Sequence, residues 1–372
     1  MRCAASFRNL EKKILRPTLL LDETTARENI RSMADKAHKN NIFFRPHFKT
    51  HRSARIGEWF RDEGIRAITV SSLRMAEYFA HHGWNDITVA FPVNIREKTL
   101  IRELSERITL NLLASSPQTI EALEQELSSP AGIFVEIDTG YRRSGVSYTD
   151  TATLEKIINV LGRCRKLHFR GLISHTGDTY HASGTAEILG KHRTALNRMR
   201  QVQQRFLIRF DPVLISMGDT PAFSLLEEIR GIDEMRPGNF VFYDLMQWQL
   251  GACRPEQIAV ALACPVTEIH PERNEAILYG GAVHFSRERL AAETFSHYGL
   301  GVDITSGHPL TELFIKALSQ EHGILHLPGR ISAKVRPGDL LLFYPVHSCL
   351  TANLMGRYLT CRGEWIESSR SI

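Results

Sequence analysis

A regular alternation of short apolar runs with longer amphipathic segments fills about the first two thirds of this chain. The apolar runs are rich in β-branched and aromatic residues, and most of the segments between them have the length of a helix. Strands are predicted to begin near Ile42, Ala67, Ile87, Ile108, Ile133, Phe169, Pro212 and Met235. Eight strands joined by seven crossovers predict a parallel sheet closed into a (β/α)8 TIM-type barrel.

An open doubly wound sheet is the alternative architecture for such a pattern. We favour the barrel because chemically unusual residues stand at the carboxyl ends of the predicted strands, and in a barrel those ends converge on one mouth. These residues are Lys49, Asp138, His175, Gly218 and Arg236.

The pattern changes near Leu250, after which apolar runs follow one another with few helical periods between them. We therefore predict a barrel domain over residues 16–249 and a mostly β C-terminal domain over residues 250–372. A short strand-like run at 18–22 precedes the barrel strands, and residues 1–15 can pack with either domain.

Composition narrows the class of protein. Hydrophobic residues make up 43% of the 372 residues and charged residues 23%, which is typical of a folded soluble protein. The net charge of +5 is spread along the chain, so no nucleic-acid partner is indicated. Six cysteines without close spacing and the lack of a membrane-length apolar stretch lead us to expect a cytoplasmic protein with reduced thiols and no membrane contact.

Lys49 closes the first predicted barrel strand within the segment RPHFKTH, in which an arginine and two histidines surround it. A nucleophilic lysine needs a depressed pKa, and neighbouring positive charge with partial burial provides one. The alternative interpretation is a lysine in a surface ion pair at a strand end. The segment by itself leaves both interpretations open.

Two further predicted strands bring an arginine and a histidine to the mouth. The strand in EIDTGYRRSG ends in a glycine turn that carries Arg143, and a guanidinium suits a phenolate or carboxylate oxygen. His175, in SHTGDTYH, can lie against a planar ring. A solvated arginine and a hydrogen-bonded core histidine are the alternative interpretations.

Turns of small residues follow the seventh and eighth predicted strands, where barrels commonly bind phosphate through backbone N–H groups. The first turn contains Gly218, Asp219 and Thr220, and the second contains Gly238 and Asn239. Both turns are therefore candidates for a phosphate site, although glycine turns also occur in barrels that bind no phosphate.

His347 and Cys349 stand two residues apart in the C-terminal segment YPVHSCLTAN. On a strand, residues i and i+2 share one face, so the imidazole and the thiolate are predicted to lie side by side. That pair suits Zn²⁺ or another divalent metal, and two protein ligands leave positions open for water or substrate. A buried cysteine beside an unrelated histidine is the alternative interpretation.

Together these motifs resemble those of the fold-type III pyridoxal 5'-phosphate (PLP) enzymes related to D-threonine aldolase and eukaryotic-type D-serine dehydratase, which are distant relatives of alanine racemase. The resemblance extends from about Arg16 to about Arg362. PHFKTH resembles the PLP-lysine motif of the family, which implies a Schiff base on Lys49. The resemblance implies PLP and Zn²⁺ as cofactors and a homodimer as the assembly.

The resemblance implies roles for further residues. DTGYRRSGV is similar to the racemase segment whose arginine contacts the phenolic oxygen of PLP, which implies this role for Arg143. HTGDTY is similar to the family's strand beside the pyridine ring, which implies that His175 and Tyr180 lie next to that ring. MRPGNFVFYD resembles the segment whose arginine faces the pyridine nitrogen and whose glycine binds phosphate. The resemblance implies the first role for Arg236 and the second for the Gly238–Asn239 turn.

The metal motif distinguishes members of the family. His347-Ser348-Cys349 is similar to the His-x-Cys motif of the dehydratases, whereas the aldolases have His-x-Asp at this place. The implied activity is the dehydration and deamination of a D-3-hydroxy amino acid, with D-serine giving pyruvate and ammonia as the first choice. Two positions depart from the family motifs: Val346 replaces the usual asparagine, and the turn at 216–220 is poorer in glycine.

Three other functions stay open at this stage. The first is an aldolase that cleaves D-3-hydroxy amino acids with the same lysine and metal. The second is a racemase, which needs a second base such as Tyr279, Tyr298 or Tyr344. The third is a PLP-binding regulatory protein without turnover.

Overall fold

The computed structural model describes residues 10–292 and 295–369. They form two compact units, the barrel unit and the β unit. The barrel unit comprises residues 33–49 and 60–238. The β unit comprises residues 10–32, 50–59, 239–292 and 295–369.

The limits of the units differ from the predicted domains of residues 16–249 and 250–372. The strand Thr18–Leu21 pairs antiparallel with a strand of the β unit, with Thr18 opposite Ala263 and Leu21 opposite Val260. Residues 239–249 also belong to the β unit. The strand Thr18–Leu21 joins the β unit through hydrogen bonds to residues far away in the sequence. A single domain boundary along the chain therefore cannot separate the two units.

The barrel unit contains eight parallel strands, and the predicted (β/α)8 barrel is confirmed. The strands are Phe43–Phe44, Ile68–Val70, Asp86–Pro92, Thr109–Ala114, Ala131–Asp138, Leu167–His175, Leu214–Gly218 and Glu234–Met235. The first strand pairs in parallel with the last one, Phe44 opposite Met235. A parallel bridge between His47 and Thr69 joins the first strand to the second and closes the barrel.

Several helices begin at side chains that cap them. The side chains of Ser72, Ser116 and Asp150 each accept a hydrogen bond from the backbone N–H three residues on, which satisfies a donor that the helix leaves unpaired. The helices are Glu23–Lys39, Ala54–Asp62, Leu73–His81, Lys98–Arg107, Pro117–Glu126, Thr151–Leu161, Thr185–Phe206, Thr220–Leu225, Leu245–Gln249, Ala282–Phe285, Gly329–Ser332 and Ser348–Met355.

The β unit is built on one nine-stranded sheet, as the apolar runs after Leu250 predict. Its strands in spatial order are Glu275–Tyr279, His322–His326, Pro309–Leu318, Gly299–Val302, Leu340–Pro345, Val260–His270, Thr18–Leu21, Arg357–Thr360 and Trp365–Glu367. Glu275–Tyr279 also pairs with Val260–His270, which closes six of the strands into an antiparallel barrel. Thr18–Leu21 pairs in parallel with Arg357–Thr360 at the side of that barrel.

Charged side chains fill part of the interior of the parallel barrel. Arg45 Nε lies 2.6 Å from Glu234 Oε2, and Arg45 Nη1 lies 2.6 Å from Asp86 Oδ1. The Arg45 and Glu234 side chains are 4% and 5% exposed. Burial would lower the pKa of Arg45, but the two carboxylates outweigh that effect and raise it. The guanidinium is therefore charged and paired inside the barrel.

The thiols differ in part from expectation. Cys164, Cys253, Cys264 and Cys349 are free, whereas Cys361 is disulfide-bonded. The expectation of reduced thiols is therefore wrong for Cys361, because spacing along a sequence does not report which cysteines meet in space. In the part of the chain that the structure describes, no helix is both long and apolar enough to cross a bilayer.

Replacing Arg45 by methionine should destabilise the barrel strongly, because Glu234 would stay buried without its cation. Removing one partner of a buried ion pair lowers the free energy of unfolding by about 3–5 kcal/mol. Urea unfolding followed by circular dichroism measures the loss. Arg74→Met is the control, because Arg74 pairs with Glu77 on the surface and its loss should cost less than about 1 kcal/mol. Equal losses in the two variants would contradict the role of Arg45.

Candidate active site

Lys49 follows the first barrel strand at the carboxyl end, where the mouth of the barrel forms. Its side chain is exposed. The backbone is held in place, because the Lys49 N–H donates a hydrogen bond to Nδ1 of His47 at 3.3 Å and His47 bridges to Thr69. The segment therefore combines a fixed main chain with an accessible amine.

The structure brings together the cationic groups predicted for the mouth. Burial is the main cause that lowers the pKa of His47 well below its usual range, and the charges of Lys49 and Arg236 lower it further. His175 and Arg143 act in the same direction. His47 is therefore a neutral imidazole within electrostatic range of three cations.

His175 stands at the end of its barrel strand and is neutral as well. Burial lowers its pKa to about 3, and the charge of Lys49 adds to the effect. Its Nδ1–H donates a hydrogen bond to the carbonyl of Gly218, which leaves Nε2 as the acceptor. The rings of His175 and Tyr180 lie 6.2 Å apart, measured between their centroids.

Hydrogen bonds join the two turns predicted to bind phosphate. The Thr220 backbone N–H donates to the Tyr180 hydroxyl at 3.2 Å, and the Gly238 N–H donates to Thr220 Oγ1 at 3.3 Å. A Cβ on Gly218 would stand only 3.2 Å from Nη1 of Arg236, so the glycine lets the guanidinium approach the turn. Five of the predicted residues are thus assembled in one place.

Asp219 has different contacts. It is buried, and its Oδ1 accepts a hydrogen bond from the Ala222 N–H at 2.7 Å, which caps the helix Thr220–Leu225. Its Oδ2 lies 3.6 Å from Nδ1 of His192. The contacts of this carboxylate are therefore with the start of the helix and with His192, and none is with the other predicted mouth residues.

Arg236 is buried and held by its neighbours. Its Nε donates to Ser216 Oγ at 2.7 Å, and its Nη2 donates to the Ser174 carbonyl at 2.7 Å. The Ser216 hydroxyl donates in turn to Glu234 Oε1 at 2.6 Å. Burial lowers the pKa of Arg236 to about 10, against the influence of Glu234. Sequence reasoning missed Ser216 and Glu234, although the two-residue period of a strand places Glu234 on the same face as Arg236.

His347 and Cys349 lie in the β unit, but the prediction that a strand aligns them is wrong. The strand Leu340–Pro345 ends before His347, and Cys349 belongs to the first turn of the helix Ser348–Met355. Proline has no N–H with which to continue a strand ladder, so the pairing stops there. The two side chains are nevertheless close enough for Cys349 to raise the pKa of His347.

Polar groups surround this pair. Burial opposes protonation of His347, but Cys349 and Asp244 outweigh it and raise the pKa of His347 well above its usual range. Cys349 Sγ lies 3.2 Å from Oγ1 of Thr50 and 3.5 Å from Nδ2 of Asn239. The buried thiol therefore has hydrogen-bonding neighbours on several sides.

Asn239 and Asp244 complete the second cluster. Asn239 was predicted in the phosphate turn, but its Nδ2 donates to Asp244 Oδ2 at 2.7 Å and lies 3.3 Å from Ser348 Oγ. Asp244 Oδ2 lies 3.4 Å from Nδ1 of His347. Sequence reasoning missed Asp244, and the available signal is its place just before the helix Leu245–Gln249, since aspartate is a favoured N-cap.

The donor types fit a metal ion with open coordination positions. Within residues 10–292 and 295–369, no three His, Cys, Asp or Glu side chains form a group that could hold a metal. His347 and Cys349 thus offer two ligands, and nitrogen with sulfur suits zinc. The cations of the barrel unit fit a different occupant, because positive groups beside neutral imidazoles suit an anionic molecule.

Two family models match the chain. Residues 21–245 match the model described as "Alanine racemase, N-terminal domain", and residues 259–361 match the model described as "Putative serine dehydratase domain". The first match alone covers more than half of the chain.

Individual proteins give the same picture. The chain is 27% identical to a D-serine dehydratase from Dictyostelium discoideum over 92% of each protein. It is 30% identical to a 3-hydroxy-D-aspartate aldolase from Paracoccus denitrificans over 96% of this chain and 91% of the relative. The solved D-threo-3-hydroxyaspartate dehydratase from Delftia sp. HT23 has a TM-score of 0.90 at 25% identity, covering 97% of this chain and 99% of that one. A variant of the same enzyme, described as a metal-free form, also has a TM-score of 0.90.

His175 should stay neutral far below the pH at which an ordinary histidine is protonated. Its pKa of about 3 lies below the ordinary 6.5, so the unfolded chain binds this proton more readily than the folded protein. The contribution of His175 to stability is therefore complete above pH 6.5 and declines as the pH falls from there toward 3. Histidine-selective ¹⁵N NMR, assigned with a His175→Gln variant, measures the protonation. A titration midpoint near 6.5 would contradict this prediction.

Proposed function

Because the chain belongs to the alanine racemase-like family whose barrel is followed by a serine dehydratase domain, we propose that it is a PLP- and metal-dependent lyase for D-3-hydroxy amino acids. The family membership itself was predicted from the motifs and is confirmed. The proposed reaction converts D-serine to pyruvate and ammonia. Water leaves from Cα and Cβ and is taken up again when the resulting C=N bond is hydrolysed, so the net change is the release of ammonia.

The observation that carries this proposal is the His347–Cys349 pair beside Thr50. The Thr50 hydroxyl lies 3.2 Å from Cys349 Sγ, and Thr50 follows Lys49 directly in the sequence. One short segment therefore carries both the candidate nucleophilic amine and a contact of the candidate metal ligands, which supports a shared task for them.

The barrel unit supplies groups that fit PLP. Lys49 would bond its aldehyde carbon, Arg143 would contact its phenolic oxygen, and Arg236 would face its pyridine nitrogen. The turns after the seventh and eighth strands would hold its phosphate. Burial is the largest cause that lowers the pKa of His47, and these cations lower it further. Their contribution supports the fit, because an anion among them would relieve their repulsion. When bound, PLP supplies an electron sink for the bond broken at the substrate Cα.

Lys49 is the residue that we propose moves the substrate proton. After the amine of the substrate replaces it, the Lys49 amine accepts the proton from Cα. Arg236 is a hydrogen-bond donor only, so it provides no acceptor for a protonated pyridine nitrogen and thereby limits the electron sink. The departure of the β-hydroxyl therefore requires a separate electrophile.

His347 and Cys349 would hold that electrophile, which we propose is zinc or another divalent metal ion. When bound, the metal supplies Lewis acidity at the β-hydroxyl of the substrate. Two protein ligands leave coordination positions for the hydroxyl and for water. The cysteine in this motif favours elimination over retro-aldol cleavage, because the aldolases that the chain resembles have His-x-Asp at the same place.

We also propose that the protein works on small D-amino acids as a cytoplasmic homodimer. The family resemblance supports the dimer. Four of the five cysteines that the structure describes are free, which supports the compartment, whereas the disulfide-bonded Cys361 does not. Light scattering coupled to size-exclusion chromatography tests the assembly, and a monomer in solution would contradict it.

Purified protein supplied with PLP and zinc should release pyruvate from D-serine and none from L-serine. A coupled lactate dehydrogenase assay measures the 2-oxo acid. D-threo-3-hydroxyaspartate and D-threonine belong in the same screen, because relatives of both reaction types match the chain. Release of glycine and acetaldehyde from D-threonine faster than pyruvate from D-serine would replace the dehydratase by an aldolase.

Lys49→Ala should remove the visible absorption of the bound cofactor and lower the elimination rate by a factor of about 10²–10⁴ or more, because it removes both the attachment point and the base. Lys39→Ala is the matched control, since Lys39 is an exposed lysine at the end of a helix. A chelator should stop elimination and leave the absorption in place. Full cofactor absorption in Lys49→Ala would refute the assignment of Lys49.

A further inference from the structure

We propose that Asp244 is a positioning residue whose carboxylate binds Nδ1 of His347 and thereby directs Nε2 toward the metal. The inference rests on the metal pair of the proposed function and adds the group that orients one of its ligands. Asp244 is the last residue of the segment MRPGNFVFYD, but the motif assigns it no role. The buried contacts of its two oxygens carry the argument.

The carboxylate of Asp244 is immobilised by hydrogen bonds on both oxygens. Its side chain is 0% exposed. Oδ1 accepts a hydrogen bond from the Gln247 N–H at 3.0 Å, which caps the helix Leu245–Gln249. Oδ2 accepts from the Ser348 N–H at 2.9 Å and from Asn239 Nδ2 at 2.7 Å. One oxygen therefore serves the helix, while the other contacts the segment that carries His347 and Cys349.

The imidazole of His347 is a further neighbour of Oδ2. Its Nδ1 lies 3.4 Å away, is buried and lacks a hydrogen bond of ordinary geometry. A charge-assisted hydrogen bond has a length of about 2.7–2.9 Å, so a shift of about half an ångström would complete it. With the Nδ1 proton held by the carboxylate, the lone pair of the ring is at Nε2, which is the form in which histidine binds a metal.

A role as a helix cap alone does not account for these contacts. Capping requires a single oxygen, and Oδ1 of Asp244 already supplies it. The hydrogen bonds of Oδ2 to Ser348 and Asn239 fix the second oxygen on the side of His347 instead. Carboxylates placed in this way on metal-binding histidines contribute about 10–100-fold to metal affinity.

Zinc affinity of the full-length protein tests the proposal, measured by competition with a chromophoric chelator. Asp244→Asn and Asp244→Ser should bind zinc about 10–100-fold more weakly than the wild type. The serine variant keeps a capping oxygen for the Gln247 N–H and removes the charge. Asp150→Asn is the control, because Asp150 also caps a helix, through the Thr153 N–H, and it should bind zinc as the wild type does.

An unchanged zinc affinity in a folded Asp244→Ser protein, judged by circular dichroism, would overturn the proposal. Zinc binding of wild-type strength in His347→Ala would instead show that the metal pair of the proposed function is wrong. A second test uses the wild-type protein alone, so its result does not depend on whether a variant folds. In ¹⁵N-histidine NMR spectra, zinc should shift Nε2 of His347 while Nδ1 keeps its proton, and ligation through Nδ1 would overturn the role of Asp244.

Discussion

The barrel depends on the buried guanidinium of Arg45. It bonds Glu234 on the last strand and Asp86 on the third at 2.6 Å each, so one side chain directly after the first strand links the last strand to the third. Charges so far from water are stable only when each has a partner. Glu234 also accepts from Ser216, and Ser216 accepts from Arg236. The interaction that closes the barrel therefore also fixes a cation at the mouth.

The cluster in the barrel unit and the cluster in the β unit have opposite electrostatic characters. In the barrel unit, Lys49, Arg143 and Arg236 combine with neutral imidazoles, which leaves an excess of positive charge. In the β unit, a buried carboxylate and a thiol surround one imidazole and favour its protonated form. Each cluster is thus suited to a counter-charge: an anionic cofactor in the first, and a metal cation in place of the proton in the second. The two clusters thus differ in the sign of the charge that they would accept.

The barrel was predictable because each of its strands is a local apolar pattern, and the mouth residues follow from where those strands end. The features that the sequence did not predict depend on contacts between segments that are distant along the chain. Thr18–Leu21 has an ordinary strand pattern, but only its partners assign it to the β unit. The strand predicted to align His347 and Cys349 was wrong, since a helix begins between them. Asp244 ends the motif MRPGNFVFYD without a predicted role, because the neighbours that give it one are close only after folding.

The position of Thr18–Leu21 also has a consequence for synthesis. This fully buried apolar strand lies between Val260–His270 and Arg357–Thr360 in the sheet. At about 5–20 residues per second, the roughly 240 residues that separate it from its first partner take on the order of ten to fifty seconds to translate. During that time the strand has no native neighbour, and its unpaired edges are open to chaperones or to other nascent chains. The barrel strands can pair in that interval, so the β unit is the later of the two units to be completed on the ribosome.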